Sequence, residues 1–89
     1  MMQKQLQIIN KLGLHARAAA KFVQTASRFA SLIEITRNGK TVNGKSIMGV
    51  MMLAASQHSF IDVTISGEDE SEALMAIETL VNNRFGEDR

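Results

Sequence analysis

Polar and apolar residues alternate from the start of the chain: Met2, Lys4, Leu6 and Ile8 share one parity, and Gln3, Gln5 and Gln7 the other. A period of two belongs to a half-buried strand, so residues 2–8 are read as the first strand. Residues 10–14 break the pattern and read as a loop. From residue 16 to residue 30 the period becomes helical, with Ala19, Phe22, Val23, Ala26 and Ala30 on one face and Lys21, Gln24 and Arg28 left for solvent. Two short runs, 32–37 and 40–43, flank Asn38-Gly39, a pair that tolerates positive φ at both turn positions and predicts a tight hairpin.

Ser46 stands where it can cap a helix over residues 47–53, which is apolar almost throughout apart from Gly49. Residues 60–65 read as a fourth strand. Gly67, Glu68, Asp69 and Glu70 then open a last helix whose acidic first turn suits the helix dipole. Its core face should carry Ala73, Leu74, Ile77, Leu80 and Val81, with Gly86 just past its end. The order βαββαβα points to an α+β fold, one antiparallel four-stranded sheet with three helices on a single face, an open-faced β-sandwich.

Composition narrows the function classes. Eighty-nine residues leave room for one domain, 1–89. With no cysteine and only His15 and His58, neither disulfides nor a closed zinc site is expected, and no cofactor is implied. The N-terminus lacks the apolar core of a signal peptide and no run is long enough to span a bilayer, so a cytoplasmic protein without membrane insertion is expected. A formal charge of +1, no tryptophan or tyrosine and no basic block argue against nucleic acid as a partner.

The chemistry concentrates in Gly13-Leu14-His15-Ala16-Arg17-Ala18-Ala19, where a glycine-containing loop gives way to an alanine-rich helix. The first N–H groups of a helix have no internal partner and the dipole there is positive, so the amides of Ala16, Arg17 and Ala18 form a cradle for an anion. Arg17 adds a planar fork of donors suited to phosphate oxygens. A histidine has an ordinary pKa of about 6.5 and is largely neutral near pH 7, where it can act as a nucleophile. Taken alone, a histidine at a helix start is more often a capping or packing residue. A second segment, Asn43-Gly44-Lys45-Ser46-Ile47-Met48-Gly49-Val50-Met51-Met52-Leu53, reverses that reading through what the two segments, at their separation, resemble.

Together the two segments resemble the histidine-containing phosphocarrier proteins of the bacterial phosphotransferase system, the HPr-like family, over nearly the whole chain. The resemblance implies strand order 1-4-2-3. It also implies a relay protein, not an enzyme, that takes a phosphoryl group from the phosphoenolpyruvate-dependent Enzyme I onto Nδ1 of His15 and passes it to an EIIA-type acceptor in sugar transport. Arg17 would neutralise charge on the phosphate. Ser46 resembles the serine that a dedicated kinase and phosphorylase act on in many members, and is equally a plain helix cap. Ile47, Met48 and Met51, with Met52, would form part of a docking surface, because methionine-rich patches repack against several partners. The commonest family pattern has proline where this chain has Ala18, which implies a looser helix start. A monomer is expected. His58 reads as a solvated loop residue without a role.

Two other readings stand beside this one. The output could be regulatory, as in nitrogen-related branches of the system that serve no sugar permease. Alternatively, the chain could be a small ligand- or RNA-binding α+β module in which His15 is structural, although the missing surface aromatics weigh against RNA.

Overall fold

The computed structural model describes residues 1–89. It contains β1 (Met2–Gln7), α1 (Ala16–Ala26), β2 (Leu32–Arg37), β3 (Lys40–Asn43), α2 (Ile47–Met52), β4 (Phe60–Ser66) and α3 (Glu70–Asn82), followed by a short turn, Arg84–Gly86. The four strands form one antiparallel sheet in the order β1-β4-β2-β3, so β4 fills the gap that the β1-α1-β2 crossover leaves. Register sets Leu6 opposite Ile61, Ile33 opposite Ile65 and Ile35 opposite Val63, which brings the inward-facing residues of three strands into one layer. The helices cover that layer, and the buried apolar residues form a single cluster between sheet and helices. No helix is long and apolar enough to cross a membrane.

The hairpin between β2 and β3 closes on the Arg37–Lys40 pair, with Asn38 and Gly39 at φ +51° and +78°. Both values match the turn whose twist suits antiparallel strands. On β1 the alternation holds with one informative exception. Lys4 shares the parity of Leu6, yet it is exposed and its ammonium pairs with Glu78 on α3. A lysine stem can lie along apolar surface while its charge reaches the rim of the helical layer.

Helix α1 ends at Ala26, four residues before the periodicity predicts, and Ala30 is exposed instead of lying in the core. The contacts that hold residues 30 and 31 in this position are tertiary. Asp69, at the start of α3, turns its carboxylate away from its own helix and accepts hydrogen bonds from the N–H groups of Ala30 (2.8 Å) and Ser31 (3.0 Å) and from the Ser31 hydroxyl. Arg28 and Phe29 have already tightened into turns, their N–H groups donating to the Thr25 and Ala26 carbonyls, and the Asp69 bonds then fix the chain where it enters β2. The Ser31 hydroxyl, followed by the Ala30 and Ser31 amides, outweighs partial desolvation and holds the Asp69 carboxyl below its usual range.

Smaller differences concern ends. Helix α2 stops at Met52 with Leu53 as its cap, and β4 runs on to Ser66. On α3, Ala73, Leu74, Ile77 and Val81 are buried, while Leu80 is only partly so. His58 lies in the exposed loop before β4 at φ +75°, its N–H donating to the Ile8 carbonyl at 2.6 Å.

Candidate functional site

The loop between β1 and α1 is fixed by backbone hydrogen bonds before any side chain is considered. Leu14 N–H donates to the Ala55 carbonyl at 2.9 Å, which ties the residue before His15 to the segment after α2. Gly13 makes this approach possible. Its φ is +67°, and a Cβ there would run into the Ala55 carbonyl and lie 2.9 Å from Ser56 Cα. The buried Asn10 side chain closes the turn from inside, its Nδ2 donating to the Gly13 carbonyl at 2.8 Å.

His15 is the N-cap of α1, with extended backbone (φ −74°, ψ 179°), and its side chain caps nothing. Its carbonyl accepts the first helical bond, from Ala19 N–H at 2.8 Å. The amides of Ala16, Arg17 and Ala18 have no acceptor within the protein, and the positive end of the helix dipole adds to their pull on an anion. Ala16 and Arg17 are exposed at the surface, whereas Ala18 is fully buried beneath them.

The C-terminal residues complete the site. Glu87 Oε2 bonds to His15 Nε2, and its other oxygen accepts from Asn10 Nδ2 at 3.0 Å. Partial burial works against the charge of Glu87. Hydrogen bonds from Asn10 and His15, with attraction to His15 when charged and to Lys21, prevail and hold its carboxyl below the usual range. An ionised carboxylate can only accept, so Nε2 of the neutral imidazole must carry the proton. Nδ1 is then the nitrogen with the free lone pair, and it has no partner within the protein.

An open cleft of about 620 Å³ is lined by His15, Ala16 and Arg17, by Lys11 and Leu12 from the preceding loop, and by Glu87, Asp88 and Arg89. No three His, Cys, Asp or Glu side chains gather in metal-binding geometry. Of the residues singled out from sequence, His15, Ala16 and Arg17 come together here. Ser46, Ile47, Met48 and Met51 do not line the cleft. Ser46 is the N-cap of α2, its Oγ accepting from Gly49 N–H at 3.0 Å. Helix α2 buries only Val50 and leaves Met48 75% and Met52 60% exposed, with Ile47 and Met51 exposed beside them.

Glu87 and Asn10 are absent from the reading of the sequence. Asn10 looks like an ordinary loop residue. Glu87 lies beyond a glycine that reads only as a helix stop. The one signal was Phe85, the sole apolar side chain among residues 82–89, which places the tail back on the core.

Comparison with known proteins shows the family and the fold. The family model described as "PTS HPr component phosphorylation site" matches residues 2–83. The phosphocarrier protein HPr of Xylella fastidiosa is 56% identical over 88 residues, covering 99% of each chain. The crystal structure of HPr-C-His from Thermoanaerobacter tengcongensis superposes with a TM-score of 0.96 at 47% identity, covering 100% of both chains. A structure titled as an HPr dimer from the same organism has a TM-score of 0.79 at 48% identity, covering 98% of this chain and 100% of that one. By sequence and by fold, the chain belongs to the HPr family, the phosphocarrier proteins of the phosphotransferase system.

Proposed function

We propose that His15 is the phosphoryl acceptor, that Enzyme I is the donor and that an EIIA-type protein receives the group. The observation that carries this reading is the division of the imidazole: Nε2 is engaged by Glu87, and Nδ1 is unpartnered beside the open start of α1. The Nδ1 lone pair attacks the phosphorus of the donor's phosphoryl group. A P–N bond forms as the donor's bond to phosphorus breaks, and the electron pair stays with the donor. Transfer onward is the same displacement with this chain as leaving group. Such a step needs positioning and charge stabilisation more than further covalent chemistry.

The amides of Ala16, Arg17 and Ala18 would share the phosphate oxygens, and the Arg17 guanidinium would offset their charge. On this reading the chain is one domain, 1–89, that stores and passes a group without turning over a substrate alone, acting as a cytoplasmic monomer. Ile47, Met48 and Met51 would form the docking surface. A kinase phosphorylating Ser46 would place a dianion at the edge of that surface, where it disfavours docking without disturbing the helix.

The test is to incubate the protein with Enzyme I and phosphoenolpyruvate and to map the acid-labile phosphate. One phosphate on His15 Nδ1 is expected. Phosphate on another residue, or none, overturns the assignment.

A further inference from the structure

Beyond α3, three consecutive residues have left-handed backbone: Arg84, Phe85 and Gly86, with φ of +55°, +53° and +80°. For an L-residue this conformation costs about 1–2 kcal/mol and normally occurs singly. Two adjacent non-glycine residues therefore need their surroundings to hold them. Two contacts do so. The Phe85 side chain is completely buried in the core, and its carbonyl accepts a hydrogen bond from Lys21 Nζ on α1 at 2.7 Å. The turn closes through Gly86 N–H to the Asn83 carbonyl and Glu87 N–H to the Arg84 carbonyl, both at 2.9 Å. A Cβ on Gly86 would stand 3.2 Å from Lys21 Nζ, so the ammonium sits directly over the residue that precedes Glu87.

A lysine on an exposed helix face ordinarily keeps its charge in water. Lys21 is instead partly buried and aimed at a backbone carbonyl, across a sequence separation of 64 residues. The turn it holds has one evident consequence. It lays Glu87 against the start of α1, where one carboxylate oxygen meets Asn10 and the other meets His15.

We propose that Lys21 is a positioning residue for the phosphoryl site: it latches the left-handed turn Arg84–Gly86, and the latched turn presents Glu87 to His15 Nε2. This rests on His15 being the acceptor. Lys21 touches no reacting atom and acts only through Glu87. Its charge also contributes to keeping Glu87 ionised, which the acceptor role of that carboxylate requires.

The test uses Lys21→Met, which keeps the stem and removes the donor, and Lys21→Arg, which restores one. In the unphosphorylated protein, ¹⁵N NMR of the His15 ring reads the tautomer. Lys21→Met should lower the Nε2-protonated fraction of the neutral imidazole and slow phosphoryl uptake from Enzyme I by about three- to ten-fold, the equivalent of one hydrogen bond. Lys21→Arg should recover both. Combined with Glu87→Gln, Lys21→Met should add no further slowing, because the two act in series. Gly86→Ala, which disturbs the latch from outside α1, should shift the tautomer in the same direction.

A parent-like tautomer ratio in both Lys21→Met and Gly86→Ala, or losses that multiply in the double variant, overturns the latch. Phosphate mapped away from His15 in the parent overturns the acceptor assignment, and with it the purpose of the latch, whatever the tautomer measurement gives.

Discussion

Glu87 holds one nitrogen of the His15 ring, from a position 72 residues further along the chain. The contact joins the segment after α3 to the start of the first helix, and it divides the imidazole into a fixed side and a free side. A neutral imidazole has one donor nitrogen and one acceptor nitrogen, so fixing the first as Nε2 leaves the second, Nδ1, for chemistry.

His15→Ala should abolish phosphate acceptance and leave the fold intact. The side chain caps nothing and is partly exposed, so its loss should cost about 1–2 kcal/mol, mainly from the Glu87 hydrogen bond. Arg17→Ala, at an exposed position, should stay within about 0.5 kcal/mol of the parent in stability yet transfer phosphate more slowly. Mass spectrometry after incubation with Enzyme I and phosphoenolpyruvate, beside thermal melts, checks both. Full labelling of the histidine variant would end the assignment, and a parent-like rate for the arginine variant would make Arg17 a plain surface charge.

Glu87→Gln should show a stability difference from the parent that depends on pH. The folded-state pKa of Glu87 is lowered from an ordinary value of 4.5, so its contribution is fully present above that value and is lost as pH falls through the lowered one. Denaturant melts of both proteins should therefore differ at pH 7 and converge in acid, below the usual carboxylate range. A difference that does not change with pH would show that Glu87 is not held ionised by its partners.

Ser46→Asp should weaken binding to Enzyme I while the helix survives, because aspartate caps as well as serine and a helix start favours an anion. Ser46→Ala should cost about 1 kcal/mol of stability through the lost bond to Gly49 N–H and leave binding near the parent level. Titration calorimetry with Enzyme I separates the two effects. Equal affinity of the aspartate variant and the parent would place the docking surface elsewhere.

Ala18→Pro should stabilise the unphosphorylated protein by a few tenths to about 1 kcal/mol. Residue 18 lies in the first turn of α1 and its N–H has no acceptor, so proline removes no hydrogen bond and mainly restricts the unfolded chain. If the Ala18 amide binds the phosphate on His15, the same variant should hold that phosphate for a shorter time. Thermal melts and phosphohistidine lifetimes report the two effects separately. A clear loss of stability would mean that the ring does not fit the buried space that Ala18 occupies.

Local chemistry made most of the elements legible in the sequence. Alternation marks β1, helical spacing marks α1 and α3, and Asn38-Gly39 marks the hairpin, because each depends on neighbours within a few residues. The candidate histidine stands out for the same reason, since glycine, histidine and helix start are consecutive and an unpaired helix amide needs no tertiary partner to attract an anion, but its expected role as acceptor came from the resemblance that the second segment carries. Periodicity cannot set the strand order, since pairing joins residues that carry no mark of each other; the order β1-β4-β2-β3 is seen only in the sheet. The path of the chain after α1 escapes local reading because the residue that holds Ala30 is an aspartate 39 residues away. The inward parity of Lys4 likewise makes sense only once Glu78 stands beside it. Glu87 is the clearest case: nothing near it in sequence points to His15, and it arrives there because Phe85 is buried, Lys21 holds the Phe85 carbonyl and the backbone between Arg84 and Gly86 turns left-handed. Hydrogen bonds and burial act through space, so residues that complete a site from the far end of a chain become visible only when the chain is folded.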